Sequence, residues 1–272
     1  MVVLITGARS GFGLRSARAI AQRGHRVYAG LRDPSTGQAL REATDGLDVH
    51  PIALDVTDLP QVQSALSTIR EREGRLDALV NNAGVALGGF LEQLDDDEVQ
   101  RLFAVNVRGV HRVTREALPM LRAARGSVVM VSSMSGLSAL PGLGAYAASK
   151  FALEGMAEAW RHELRPFGVR VSVVEPGPYR TDLLSRNRTV GRRVHDPESV
   201  YAPFVRRIDA LAARVEARAG DADDVAKAIA DLVEHSDPAL RHPMGPGSLP
   251  RRLIRRFLPF RLWERALARQ LM

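Results

Sequence analysis

Along most of this chain, short apolar runs rich in β-branched residues alternate with longer stretches of helical period, and that alternation leaves few folds open. The strand-like runs are Val2–Thr6, Arg26–Leu31, Val49–Leu54, Ala78–Asn81, Ser127–Ser132 and Val169–Glu175, with a short seventh near Leu240–Met244. Helical patterns follow at 12–23, 58–73, 95–122, 145–166 and 221–235. Strands that read as near-continuous apolar runs are buried on both faces, and helices between them act as crossovers. The pattern predicts an α/β fold, a doubly wound parallel sheet of about seven strands flanked by helices. Residues 178–220 are rich in arginine and proline and lack a clean period. They are read as a substrate loop carrying one or two short helices.

The first strand runs directly into Thr6-Gly7-Ala8-Arg9-Ser10-Gly11-Phe12-Gly13, which opens the first helix. Glycines there allow a tight turn, close approach of backbone to a pyrophosphate, and close packing of helix on strand. The helix amino terminus adds N–H donors and the positive end of a dipole. Standing alone, such a turn reads equally as an ordinary strand-to-helix connection. Its place at the first junction favours a dinucleotide and a Rossmann-type sheet, with Gly7, Arg9, Ser10, Gly11, Phe12 and Gly13 around the phosphates.

Tyr146-Ala147-Ala148-Ser149-Lys150 lies in a helical pattern. Residues i and i+4 share a helix face, so a phenol and an ammonium can meet over one site. A free phenol, with a pKa near 10, is too weak a base at neutral pH. A neighbouring ammonium favours the phenolate and moves that value toward the working range. An isolated pair of this kind is more often a tyrosine packed on a lysine stem.

The spacing T-G-x-x-x-G-x-G, the turn Asn81-Asn82-Ala83-Gly84, and Ser133 thirteen residues before Tyr146 together resemble the short-chain dehydrogenases/reductases, in their shorter, non-extended branch. The likeness covers residues 2 to about 245 and is nearest bacterial relatives of the retinol and hydroxysteroid dehydrogenases. It implies an oxidoreductase that moves hydride between a nicotinamide and an alcohol, ketone or aldehyde. It implies Tyr146 as general acid and base and Lys150 as the cation that lowers its pKa and binds the nicotinamide ribose. Ser133 orients the substrate oxygen, and Asn106 holds a water in a proton relay. Asp55 and Val56, then Asn82, Ala83 and Gly84, flank the adenosine half; Pro176, Gly177 and Thr181 contact the carboxamide. Each residue has a plainer reading beside it: Asp55 and Thr181 as helix caps, Asn82–Gly84 as a turn, Ser133 as a strand-end cap, and Asn106 as a bend.

Enzymes that use NAD end the second strand with an acid for the ribose hydroxyl, whereas NADP enzymes place arginine nearby. Here Val27-Tyr28-Ala29-Gly30-Leu31-Arg32 puts Leu31 at the acid position and Arg32 next, with Arg9 as a second cation. Guanidinium binds phosphate bidentately. NADP(H) is therefore the expected cofactor, with NAD(H) the alternative because Asp33 would restore an acid if the register slipped by two.

Net charge is +7, but residues 249–272 hold seven arginines against one acid, so nearly all of it belongs to the tail. That distribution argues against nucleic acid. No cysteine is present, which removes disulfides, thiolate metal sites and cysteine nucleophiles, and no metal site is expected. No apolar run is long enough for a bilayer and no leader is evident, so a cytoplasmic protein is expected. The expected organisation is a catalytic NADP-binding domain over 1–248 and an amphipathic helical extension over 249–272, divided into two helices at Pro259. The extension is read as a lid, a packing arm or a subunit contact, with attachment to an anionic membrane surface as the alternative. Leu137, Leu140, Leu143 and Tyr179 are candidate pocket residues, and core packing explains them equally well. A homodimer or homotetramer through 95–122 and 145–166 follows from the resemblance. Two rivals remain: a β-ketoacyl carrier-protein reductase that uses Arg186, Arg188, Arg192 and Arg193 to receive an acidic carrier, and a non-enzymatic NADP sensor on the same fold.

Overall fold

The computed structural model describes residues 1–179, 188–216, 219–245 and 258–271. In chain order the strands are β1 (Val2–Thr6), β2 (Arg26–Leu31), β3 (Val49–Ala53), β4 (Ala78–Asn81), β5 (Ala86–Gly88), β6 (Ser127–Val131), β7 (Arg170–Pro176), β8 (Arg188–Val190) and β9 (Arg241–Met244). Seven of them form one parallel sheet in the order β3-β2-β1-β4-β6-β7-β9, and β5 pairs with β8 in a small parallel ribbon. Strand order reverses between β1 and β4, which opens a crevice at their carboxyl ends.

The helices are α1 (Gly11–Ala21), α2 (Gln38–Ala43), α3 (Leu59–Glu73), α4 (Asp96–Phe103), α5 (Val110–Ala124), α6 (Gly144–Leu164), α7 (Ala202–Glu216), α8 (Ala222–Glu234) and α9 (Phe260–Leu271). Capping chemistry sets several ends. Asp58 accepts from the Gln61 amide at 3.2 Å to start α3, and Gly74 stops it with φ 67°. Asp221 accepts from the Asp223 amide at 3.0 Å to start α8. Two apolar layers cover the sheet. Val62, Leu66 and Ile69 of α3 join Val113 and Leu121 of α5 and Leu153 and Ala157 of α6 on one face. Ala17 and Ile20 of α1 join Val225, Ile229 and Val233 of α8 on the other. Each large buried side chain contributes about 1.5–3 kcal/mol, which outweighs weak local propensity.

Several elements differ from the pattern-based expectation. The helix expected over 95–122 is interrupted by a π-helical turn at Ala104–Gly109 between α4 and α5. The substrate loop expected over 178–220 with one or two short helices contains the strand β8 and a longer, fifteen-residue helix, α7. The short elements α2, β5 and β8 carry too few residues to show a period. In the tail, α9 starts directly after Pro259 and lies against α7. Residues 246–257, where the first tail helix was expected, are outside the described residues. Among the described residues, no helix is long and apolar enough to cross a membrane.

Candidate active site

The crevice is built where β1 and β4 end side by side. The Thr6 hydroxyl accepts from the Asn82 amide at 3.0 Å and the Ala83 amide at 2.9 Å. The Asn82 side-chain amide donates in turn to the carbonyls of Thr6 and Gly7, both at 2.9 Å. These bonds tie the glycine turn to the Asn82–Gly84 turn as one unit. Gly7 has φ +68°, and a Cβ there would lie 2.8 Å from the Ala83 Cα. A Cβ on Gly13 would lie 2.4 Å from the Gly7 carbonyl oxygen and 2.5 Å from the Asn82 Nδ2. Only glycine fits either position. Ser10 caps α1 in extended conformation without a side-chain cap bond, and the first turn of α1 carries no acid. That combination of open amide donors, bare backbone and an uncompensated dipole end fits the pyrophosphate of a dinucleotide.

β2 ends at Leu31, so the acid position of an NAD site is apolar, and Leu31 is buried. The Asp33 carboxylate instead accepts from the Ser35 amide at 2.9 Å and caps a short 3-10 turn. Arg9 and Arg32 are exposed, and neither is paired with a carboxylate among the described residues. Asp55 Oδ1 accepts from the Thr57 amide at 2.8 Å and the Thr57 hydroxyl at 2.7 Å, so it stabilises the turn ahead of α3. The Val56 carbonyl accepts from Arg112 at 2.6 Å, and its side chain packs where a Cβ on Gly109 would intrude at 2.6 Å.

The second half of the site hangs on the π-helical turn, which carries Asn106. Its Oδ1 accepts from the Val85 amide at 2.9 Å, and its Nδ2 donates to the Val85 carbonyl at 2.9 Å and the Ser149 hydroxyl at 3.0 Å. The Ser149 hydroxyl donates to the Tyr146 carbonyl at 2.7 Å. A π-turn widens the helix so that a buried amide can reach two partners at once. Asn106 does more than bend its helix: its side chain pins the loop after β4 to α6. Lys150 Nζ donates to the Val131 carbonyl at 3.0 Å and lies 5.8 Å from the centre of the Tyr146 ring. A Cβ on Gly84 would lie 3.4 Å from Asn106 Oδ1 and 3.6 Å from Lys150 Nζ, so Gly84 borders both.

Tyr146 is buried, and Ser133 lies close enough to its hydroxyl to favour the phenolate. Ser133 Oγ accepts from the Ser135 amide at 3.1 Å, so the serine caps a strand end beside the phenol. Ser132 is turned away, next to Gly136. Burial pushes the Tyr146 hydroxyl up to about 12, against a smaller lowering by Ser133. Burial pushes the Lys150 ammonium down to about 8, against a smaller raising by Glu154. The phenol pKa therefore stands opposite to the lowering expected from sequence, because the protein's own groups bury it more than they charge it. Such a phenol is a proton donor at neutral pH.

At the end of β7, the Gly177 amide donates to the Met244 carbonyl at 2.9 Å, which joins Pro176-Gly177 to the last strand. Thr181 lies outside the described residues, as do Arg186 and the side chain of Arg188. Tyr179 is not a pocket residue. It sits edge-on to Phe12 at 5.8 Å and fills the space that a Cβ on Gly220 would enter at 2.7 Å. Arg192 contacts Asp95 at 2.8 Å and Asp97 at 2.5 Å, and Arg193 lies 3.2 Å from Asp95. Both arginines pair with acids at the start of α4 while staying more than half exposed. Phe90 stacks on Tyr201 at 4.5 Å with Phe204 edge-on at 6.4 Å, which brings the start of α7 beside the segment between β5 and α4. Sequence reasoning missed Thr6 and Ser149 as positioning groups; both sit inside the quoted motifs, where only the fold reveals their partners.

The short chain dehydrogenase family model matches residues 1–190. The chain belongs to the short-chain dehydrogenase family. It is an oxidoreductase of the kind that acts on alcohol and keto groups. An uncharacterized oxidoreductase, YusZ of Bacillus subtilis, is 36% identical over 99% of this chain and 98% of its own length. A 3-ketodihydrosphingosine reductase of Bacteroides thetaiotaomicron is 34% identical over 90% of this chain and 88% of its own. The crystal structure of a short-chain dehydrogenase from Streptomyces avermitilis superposes with TM-score 0.83 at 32% identity, covering 97% of each chain. The structure of ElxO with NADP bound superposes with TM-score 0.76 at 26% identity, covering 92% of this chain and 98% of that one.

Proposed function

We propose that this chain is an NADP(H)-dependent dehydrogenase/reductase acting on an apolar substrate that carries a ketone, aldehyde or alcohol. The observation that carries the reading is the buried Tyr146 hydroxyl, beside Ser133 and on α6 with Lys150 Nζ 5.8 Å from its ring centre. A bound nicotinamide dinucleotide supplies or accepts the hydride there. Tyr146 holds the proton destined for the carbonyl oxygen in reduction and takes it back in oxidation. Ser133 orients that oxygen, Lys150 binds the ribose and steadies developing phenolate, and Asn106 keeps the loop after β4 on α6. Gly7, Ser10, Gly11, Phe12 and Gly13 hold the pyrophosphate. Asp55, Val56, Asn82, Ala83 and Gly84 border the adenosine side; Pro176, Gly177 and Thr181 border the carboxamide. Arg32 and Arg9 favour the additional phosphate of NADP(H), a preference supported by the apolar Leu31 and the self-capping of Asp33. The Phe90–Tyr201–Phe204 group and the exposed Leu91 support an apolar substrate. So does the name of the Bacteroides relative, a reductase of a long-chain keto lipid. Homo-oligomerisation through α4, α5 and α6 belongs to the same reading.

The test is turnover with NADPH and with NADH on a panel of long-chain keto lipid, retinoid, steroid, simple ketone and acyl thioester. Wild type should prefer NADPH and a long or ring-shaped ketone over an acyl thioester. Arg32→Ala should lower the NADPH-over-NADH preference by about 10- to 100-fold, the worth of one charge-assisted contact. An unchanged preference refutes the cofactor assignment.

A further inference from the structure

Among the described residues eight large apolar side chains are exposed, and five of them, Leu91, Val200, Leu211, Phe260 and Leu262, belong to three segments that touch one another. Val200 and Leu91 are the most open, at 76% and 66%. Phe90 stacks on Tyr201 just ahead of α7, and α9 lies against α7. On the inner side, a Cβ on Gly144 would lie 2.9 Å from Leu91 Cγ, and one on Gly142 would lie 2.9 Å from Ile208 Cδ1 of α7. Apolar ground therefore runs from α9 across α7 to the first turn of α6, which carries Tyr146. Single exposed apolar residues are ordinary, whereas a gathering of them marks a contact with something else.

The charges set among them decide the partner. Arg206, Arg214, Arg261 and Arg265 are exposed, and none is paired with a carboxylate among the described residues. Elsewhere Arg26, Arg75, Arg101 and Arg115 are exposed too, yet each meets an acid. Helical spacing sets Leu211 between Arg207 and Arg214, and Leu262 one turn before Arg265. An apolar side chain flanked by guanidiniums suits an anionic bilayer: the leucine enters the acyl boundary while arginine stays at the headgroup phosphates. A second copy in a two-fold contact would set these arginines against one another. Nucleic acid would match the arginines and leave the leucines uncovered. We propose that the outer side of α7 and α9, with Leu91 and Val200 beside them, docks reversibly on an anionic lipid surface. Its use in taking up a lipid-like ketone beside Tyr146 rests on the function proposed above; the docking does not.

The test is sedimentation of the full chain with vesicles of phosphatidylcholine alone and with vesicles containing about a third phosphatidylglycerol. The protein should pellet with the anionic vesicles, stay in solution with the neutral ones, and be released as salt rises. Each arginine at such a surface is worth about five-fold in partitioning, so the double variant Arg261→Gln/Arg265→Gln should bind about 25-fold more weakly. Leu211→Ser and Leu262→Ser should each weaken binding as well. Phe167→Ser, on an exposed ring between α6 and β7, should not. Protein that stays in solution with anionic vesicles overturns the proposal, as does binding that the α7 and α9 variants leave at wild-type strength. A dimer in sedimentation equilibrium that Leu211→Ser or Leu262→Ser dissociates would also overturn it and assign the face to a second copy. Wild type that pellets with anionic vesicles but turns over no ketone would refute the proposed function and leave the docking standing.

Discussion

At the scale of single residues, the site is organised by burial more than by charge. Lys150 is held below its ordinary value, to about 8, because the fold strips its water away. This has a sign that can be measured. Between about 8 and the unperturbed value near 10.5, an unfolded chain keeps a proton on this lysine that the folded chain has released. Stability conferred by the group therefore rises with pH across that window, and the full penalty is felt below it. Tyr146 is shifted upward and acts in the opposite sense only above about pH 10. Urea unfolding of wild type and Lys150→Met from pH 8 to 10 should differ in slope by up to about 1.4 kcal/mol per pH unit, with wild type gaining stability relative to the variant. Parallel slopes would contradict the buried-ammonium account.

At the scale of elements, the glycine turn and the Asn82–Gly84 turn act as one piece because Thr6 and Asn82 cross-bond them. Gly13→Ala should abolish NADPH binding and cost at least about 2 kcal/mol of stability, since its Cβ would lie 2.4 Å from the Gly7 carbonyl oxygen and 2.5 Å from the Asn82 Nδ2 that cross-bonds the two turns. Isothermal titration and denaturant melts check both; wild-type affinity would show that the turn can open. The seven parallel strands, α1 and the Tyr146–Lys150 helix were legible in the sequence because each carries a strong period or a motif with fixed spacing. The π-helical turn was not legible. Ala104–Gly109 keeps an approximately helical pattern, and the extra residue becomes visible only when Asn106 is seen bonding Val85 and Ser149 together. Tyr179 misled for a related reason: an aromatic after β7 suits a pocket or a core, and the space left by Gly220 decides for the core. β5 and β8, at three residues each, exist because they pair with one another, which no local pattern records.

At the scale of the whole molecule, the sheet order reverses between β1 and β4, where the glycine-rich turn stands. Elements from the second half of the chain pack around the segment between β5 and α4. The β8 segment is clamped to α4 by Arg192, α7 begins at the Phe90–Tyr201 stack, and α9 lies against α7. The account as a whole depends on one proton. The most direct test compares NADPH consumption on the best ketone of the panel with NADPH binding, both in Tyr146→Phe. Loss of the hydroxyl should reduce turnover by about 100- to 10,000-fold, the range of general acid catalysis, with NADPH affinity little changed. Turnover that survives Tyr146→Phe would contradict the account.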